Sequence, residues 1–410
     1  MSLACRACGL PLTHSLVDLG ETPLANSYPG EADLGRPDPR YPLHARVCDG
    51  CFLVQVEDVV PSQEIFSDYA YFSSYSTSWV EQAGRFCEQA RDRFGLGRAS
   101  LVVEVASNDG YLLRHFARAG VPVLGVEPAA NVAAVARAAG VPTEVRFFGL
   151  DTARDLAAAG QAADLLVGNN VLAHVPDLDD FVAGLALLVK PEGVISLEFP
   201  HLMKLMAQVQ FDTIYHEHYS YFSLLALEPV LARHGLRVFD VESLASHGGS
   251  LRLSVCAHNS ARYQETKAPD ALRAAESSAG LDSLAAYRGF AERVAAARQS
   301  LLAFLSAARD EGKSVVAYGA AAKGNTLLNY CAVGTDLIGY VVDASPHKQG
   351  RYLPGSRLPI HSPDKLAETR PDYVLILPWN LRDEIMREMA AVRDWGGRFV
   401  VPIPTTEVLP

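Results

Sequence analysis

The segment Phe211-Asp212-Thr213-Ile214-Tyr215-His216-Glu217-His218-Tyr219-Ser220-Tyr221-Phe222 sets imidazoles, a carboxylate and phenols side by side. Imidazole is the natural base near neutral pH, and a phenol can hold a developing oxyanion. Such a set could pull a proton from a carbon next to a carbonyl. If the segment is helical, Tyr215 and His218 share one face at i, i+3, and Glu217 can orient or charge a neighbouring imidazole. Physics alone leaves both His216 and His218 open as the base. A metal-binding His-x-His pair is the minor reading, because no further ligand cluster accompanies it. A third imidazole, His174, lies in Asn169-Asn170-Val171-Leu172-Ala173-His174-Val175-Pro176. This loop follows a predicted strand, where parallel sheets line their ligand crevice.

A different chemistry belongs to Cys5-x-x-Cys8 and Cys48-x-x-Cys51. Each tight turn aims two thiolates at one point, and two turns complete a tetrahedral sulfur site for zinc. Redox dithiols are the weaker alternative, since a redox C-x-x-C usually stands alone at a helix start. Four sulfurs leave no open coordination position. The expected role is therefore structural, and zinc removal is expected to damage folding before chemistry. Cys87, Cys256 and Cys331 read as small buried hydrophobes.

Upstream, Glu104-Val105-Ala106-Ser107-Asn108-Asp109-Gly110 joins a predicted strand to a helix. Backbone N–H groups there can approach a nucleoside. Glu127, at the end of the next strand, can accept from ribose hydroxyls. A dinucleotide would bring its pyrophosphate against Asp109, which is unfavourable. A cationic sulfonium tolerates the acid, so the loop favours S-adenosylmethionine over NAD. Near the C-terminus, Tyr318-Gly319-Ala320-Ala321-Ala322-Lys323-Gly324-Asn325-Thr326 makes a second strand-to-helix turn. Lys323 there is a reasonable phosphate contact, although the turn lacks the G-K-[ST] ending of a P-loop. Asp343 at the next strand end gives a weak dinucleotide look. His347, Lys348 and Arg351 read as a solvated loop.

The elements that must carry these groups follow from patterning. From Leu101 onward, strands and helices alternate, which implies a parallel sheet covered on both faces. Strands are expected at 101–105, 121–126, 164–167 and 194–199, with Pro191-Glu192-Gly193 as a turn before the last. The stretches 236–241 and 251–257 are expected to close the sheet with an antiparallel edge. The aromatic run from Phe66 to Trp79 reads as packing over this domain or as a lid. The expected division is a zinc-binding domain at 1–62, an α/β domain carrying the cofactor-type loop at 63–258, a helical connector at 259–312, and a second α/β domain at 313–410. Each domain is expected to hold its own core. The net charge of −11 over 410 residues argues against broad attraction to nucleic acid or anionic membrane. No stretch is long and apolar enough to cross a bilayer, and the N-terminus lacks an export signal pattern. A cytoplasmic protein, monomeric or weakly homo-oligomeric, is expected.

The motifs C-x-x-C…C-x-x-C, E-V-A-S-N-D-G-Y-L-L, G-V-E-P, F-D-x-I-Y-x-E-H, H-G-G-S-L-R and Y-G-A-A-A-K-G-N-T occur in this order over nearly the whole chain. In this the chain resembles the sugar C-methyltransferases of bacterial deoxysugar-nucleotide and antibiotic biosynthesis. The resemblance implies an N-terminal zinc domain, a central class I methyltransferase domain, and a C-terminal partial Rossmann unit. It implies methylation of a carbon beside the ketone of a nucleotide-linked, dTDP-type, 4-keto-6-deoxy sugar by S-adenosylmethionine. It makes His218 the general base, with Tyr215 and Glu217 beside it and His174 and Tyr71 facing the sugar. It puts the cofactor on Glu104, Ala106, Asn108, Asp109, Tyr111 and Leu112, then on Glu127, Pro128 and Phe148, and on Asn169, Asn170 and Val171. Tyr221, His247, Tyr318, Lys323 and Asn325 would touch substrate. Ala106 departs from the glycine usual in such loops. The rival expectations are an O- or N-methyltransferase, an NAD-dependent sugar-nucleotide oxidoreductase, and a non-enzymatic zinc-ribbon adaptor.

Overall fold

The structure, a computed structural model, describes residues 3–66 and 72–409. Tyr71 lies outside the described residues. The central sheet has seven strands, in the spatial order Thr143–Glu144, Val123–Val126, Val102–Val105, Ala163–Asn169, Val189–Pro200, Ser250–Ala257 and Leu236–Leu244. All run parallel except Ser250–Ala257, which is antiparallel to both neighbours. This is the doubly wound class I methyltransferase arrangement. The interior strand Val102–Val105 is buried at every position, as expected where helices cover both faces. The reversed strand is the inner member of the final pair rather than the edge.

Pro191-Glu192-Gly193 does not break the chain into a turn and a new strand. One strand runs from Val189 to Pro200, and its pairing with the neighbour jumps from Ala163↔Val189 to Leu165↔Val194. The extra residues form a bulge. Gly193 permits it, since a Cβ there would stand 2.7 Å from the Ala163 carbonyl oxygen.

A four-stranded antiparallel sheet forms from His14–Thr22, Tyr41–Val47, Val54–Gln55 and Ser220–Tyr221. Its last strand belongs to the imidazole-rich segment, which is thereby drawn onto the N-terminal unit. The C-terminal sheet runs Ile360–His361, Val341–Val342, Val315–Tyr318, Tyr373–Ile376, Arg398–Val401 and Glu407–Leu409, parallel until the final pair.

The expectation of a separate core for each domain is corrected. The helix Phe290–Asp310 buries Phe290, Val294, Leu301 and Leu305 in one cluster with Leu16 and Leu43 of the N-terminal sheet. The same cluster takes in Phe211 and Ile214, and Val315 and Leu375 of the C-terminal sheet. A short cysteine-clasped segment buries too little surface alone, so it shares the apolar layer of its neighbours.

Candidate active site

The imidazole segment is not helical through its reactive part. A 3-10 turn at Phe211–Thr213 is followed by a tight turn in which His218 N–H donates to the Tyr215 carbonyl at 2.9 Å. This turn brings the Tyr215 hydroxyl to 2.8 Å from His218 Nε2, with ring centroids 4.0 Å apart. His218 Nδ1 lies 2.9 Å from the Thr213 carbonyl oxygen. A carbonyl can only accept, so Nδ1 carries the proton. Nε2 then keeps its lone pair and accepts from the phenol. His174 stands edge-on to His218, at 4.7 Å between centroids, and its Nδ1–H donates to the Glu217 carbonyl at 2.7 Å. Burial pushes His174 down to about 4. Burial and then the nearby His174 hold His218 well below the ordinary histidine value. Both rings are therefore neutral near pH 7.

His216 turns the other way. Its Nε2 donates to the Pro42 carbonyl at 3.2 Å, and its ring meets Tyr41 edge-on. His216 is buried, whereas Tyr215, His218 and His174 keep partial solvent access. The Glu217 carboxylate does not charge an imidazole, contrary to expectation. Asn26 Nδ2 donates to both of its oxygens, at 2.7 and 2.9 Å, and burial pushes the carboxyl up to about 7. Backbone rather than side chain of Glu217 orients His174. Tyr221 presents its ring to His218 at 6.2 Å.

The cofactor-type loop leaves the strand Val102–Val105 with Ala106 and Asn108 at positive φ, 54° and 51°. Gly125 on the adjacent strand gives it room, since a Cβ there would meet Ser107 Oγ at 2.4 Å. Glu127 Oε2 accepts from Asn108 N–H and Oε1 from Ala129 N–H, both at 2.9 Å, so the acid braces its own loop. Burial, then Asp109 and Glu127, push Glu104 well above the carboxylate range. Glu104 Oε2, Ser107 Oγ and Asp109 Oδ1 are buried without hydrogen-bond partners among the described residues. Orphaned oxygens in an acidic nest suit a cationic nucleoside and oppose a pyrophosphate. The backbones of Ser73 and Ser74 donate to Asn108 Oδ1 and Asp109 Oδ2, at 2.9 and 3.0 Å, fastening residues 73 and 74 to the loop. Tyr111 stacks on Trp79 at 5.9 Å. Leu112 is wholly buried in the core, while Pro128, Phe148 and Asn169 keep partial exposure and Val171 almost none.

The helix Ala322–Cys331 and the turn Trp379–Leu381, which follow strands of the C-terminal sheet, pack against the turn Ser246–Gly248. Asn170 Nδ2 lies 3.4 Å from His247 Nε2, and Trp79 meets the His247 ring edge-on at 5.2 Å. Lys323 Nζ donates to Asn380 Oδ1 at 3.0 Å and reaches toward the His247 carbonyl at 3.5 Å. It also sits 4.9 Å over the Trp379 ring. Trp379 Nε1 donates to Asp212 Oδ2 at 2.7 Å. Burial drives His247 down to about 4 and Asp212 up to about 6. Two expected substrate contacts are engaged elsewhere. Tyr318 packs with Val342, Val374 and Phe399, and Asn325 Nδ2 donates to the Ala25 carbonyl. Nor is the His347 loop simply solvated. His347 stacks on Phe72 and Tyr75 at 5.4 and 5.9 Å, Lys348 Nζ donates to the Ala320 carbonyl at 2.7 Å, and Arg351 reaches the Tyr28 carbonyl at 3.2 Å. Asp343 is spent on Ala320 N–H at 2.7 Å and Ser345 N–H at 2.8 Å. Asn26, Trp379 and Asn380 carry no motif, and sequence reasoning missed them. Only distant chain segments make them neighbours.

The four sulfurs of Cys5, Cys8, Cys48 and Cys51 lie within 4.8 Å of one another. Cys5–Cys51 and Cys8–Cys48 are 3.5 and 3.4 Å apart, close to the ~3.8 Å edge of a tetrahedron with zinc–sulfur bonds of about 2.3 Å. The donor set fits a closed metal site. Cys87, Cys256 and Cys331 are buried free thiols.

Three family models match in succession: "Putative zinc binding domain" over residues 5–66, "Methyltransferase domain" over 79–241 and "C-methyltransferase C-terminal domain" over 245–404. The C-methyltransferase NovU of Streptomyces niveus is 37% identical over 405 residues, covering 99% of this chain and 96% of that one. A ubiquinone biosynthesis O-methyltransferase of Rhizobium etli is 33% identical over 98 residues, only 23% of this chain and 38% of that enzyme. Magnesium protoporphyrin IX methyltransferase of Synechocystis, solved with S-adenosylmethionine, overlays 49% of this chain and 99% of its own, at 14% identity and TM-score 0.35. A relative matching from end to end, with three family models in series, settles the lineage: the chain belongs to the C-methyltransferase family.

Proposed function

We propose that the protein methylates the carbon beside the ketone of a nucleotide-linked 4-keto-6-deoxy sugar, of the dTDP type, through an enolate. The observation that carries this reading is the Tyr215–His218 pair, a neutral imidazole whose lone pair holds a phenol proton at 2.8 Å. A hydroxyl acceptor needs little beyond a base. A carbon acceptor needs a base and an oxyanion donor together.

The tautomers divide the labour. Neutral His174, with Nδ1–H on the Glu217 carbonyl, offers only a lone pair at Nε2. It suits a sugar hydroxyl and cannot polarise the ketone. Tyr215 has a proton to give. When it swings that proton from His218 to the ketone oxygen, His218 Nε2 is freed in the same movement. His218 then takes the α proton, the C–H electron pair becomes the enolate, and the imidazolium is held by Thr213. Asn108, Asp109 and Glu104 would hold S-adenosylmethionine, whose chemistry when bound is an electrophilic methyl. The four cysteines would hold zinc, which supplies folding energy and no reactive position.

The test is incubation with S-adenosylmethionine and dTDP-, GDP- and UDP-linked 4-keto-6-deoxy sugars in D₂O, followed by NMR. A new C–CH₃ signal, with solvent deuterium entering beside the ketone, supports the reading. A methoxy or N-methyl product rejects it.

A further inference from the structure

Arg6 sits inside the first cysteine knuckle, between Cys5 and Cys8, and its side chain bridges the N-terminal unit to the central domain. Nη1 donates to the Pro176 carbonyl at 3.0 Å and Nη2 to the Val56 carbonyl at 2.6 Å. The guanidinium carbon lies 5.3 Å from the centroid of the Tyr219 ring. Pro176 follows the short turn Leu172–His174, and Tyr219 directly follows His218. The two segments also bond each other, Tyr219 N–H donating to the Ala173 carbonyl at 2.7 Å. Val56 N–H donates to the Tyr219 carbonyl at 3.0 Å. One planar cation therefore fastens the strand before Val56, the His174 turn and the His218 segment. A rigid fork suits this task, since its donors are fixed relative to one another.

The other end of the connection is the sulfur cluster. Arg6 N–H donates to Gln55 Oε1 at 3.0 Å, and Gln55 Nε2 donates to Cys5 Sγ at 3.2 Å. Gln55 is buried and pairs through its backbone with Ser220. A continuous path thus runs from a metal-ligating type of sulfur, through Gln55 and Arg6, to the backbone beneath both imidazoles. We infer that Arg6 is a positioning residue for methyl transfer, coupling the four-cysteine centre to the relative placement of His174 and His218. The inference extends the proposed function, because it takes that imidazole pair as the proton-moving unit. It goes beyond a purely structural metal, since the knuckle would set active-site geometry as well as local folding.

The experiment needs no acceptor sugar for its first readout. In the full-length, zinc-loaded chain, the Nδ1–H signals of His174 and His218 are followed by ¹⁵N–¹H NMR. They are assigned by their loss in His174→Ala and His218→Ala. Arg6→Ala, with metal content and melting temperature retained, is expected to speed solvent exchange of the His174 Nδ1–H about tenfold or more. Arg6→Lys should be intermediate. With a dTDP-linked 4-keto-6-deoxy sugar and S-adenosylmethionine, Arg6→Ala should lower kcat about tenfold and leave KM for S-adenosylmethionine within about twofold. Stripping the metal with a chelator, at a temperature where circular dichroism shows the chain still folded, should reproduce the exchange change in the native sequence. Native exchange in folded, metal-loaded Arg6→Ala overturns the inference. If that variant does not load metal or fold, Arg6→Gln takes its place under the same criterion. Native exchange after complete metal removal overturns the coupling to the cysteines. Perturbed exchange without any C-methylation would sink the sugar reading and leave the positioning role standing.

Discussion

His218 is set apart from His216 by where each ring is tied, two positions apart in the chain. His218 faces Tyr215 and His174, and His216 is spent on Pro42. His218→Ala should lower kcat by about 10²–10⁴, the usual range for a general base, with little change in S-adenosylmethionine affinity by calorimetry. Near-native turnover would remove His218 from its role. Glu217 gives a pH signature. Its buried carboxyl titrates at about 7 in the fold, against an ordinary value of 4.5. Between these values the folded chain holds a proton that the unfolded chain has released, so this group's contribution falls as pH rises through the window. His174 has the opposite slope: burial holds its ring down at about 4 against an ordinary 6.5, the unfolded chain binds the extra proton, and stability falls as pH drops from 6.5 toward 4. Glu217→Gln should therefore raise the melting temperature more at pH 8 than at pH 5. An equal shift at both would contradict the assignment.

Elements are where sequence reading succeeded and where it stopped. The alternation of apolar strands with helices from Leu101 was legible because parallel strands buried on both faces read as apolar runs. The cysteine knuckles were legible because their spacing is local. The bulge at Pro191–Gly193 was not, since a Pro-Glu-Gly run signals a turn equally well and only the pairing with Ala163 decides. Asn26 meeting Glu217, and Arg6 meeting Pro176, are contacts across more than 160 residues and leave no periodic trace. A further such joint is Glu276, wholly buried on the helix Lys267–Ser278. It accepts from His201 Nε2 at 2.7 Å and from Leu224 and Leu225 N–H at 2.8 and 2.9 Å, capping the helix Leu224–Arg233. Glu276→Ala strands all three donors and should cost about 3–5 kcal/mol in urea unfolding. A loss below about 1 kcal/mol would mean that water replaces the carboxylate.

At the scale of the molecule, the apolar layer common to both terminal sheets ties their unfolding together. Calorimetry should show those sheets melting in one transition, and a chain starting at residue 62 should be insoluble, because Leu205, Phe211 and Leu301 would lose their cover. Separate transitions for the two sheets would contradict this. The reversed strand Ser250–Ala257 has a different consequence. Because it runs against its neighbours, its beginning rather than its end reaches the mouth of the sheet, and the hairpin Ser246–Gly249 is delivered there. Both sides of the molecule hold that hairpin: Trp379 packs where Gly248 lacks a Cβ, at 2.6 Å, and Gln210 Nε2 donates to the Gly248 carbonyl at 2.8 Å. The hairpin is a lintel resting on two posts, so it shifts only if the turn carrying Trp379 or the segment carrying Gln210 shifts with it.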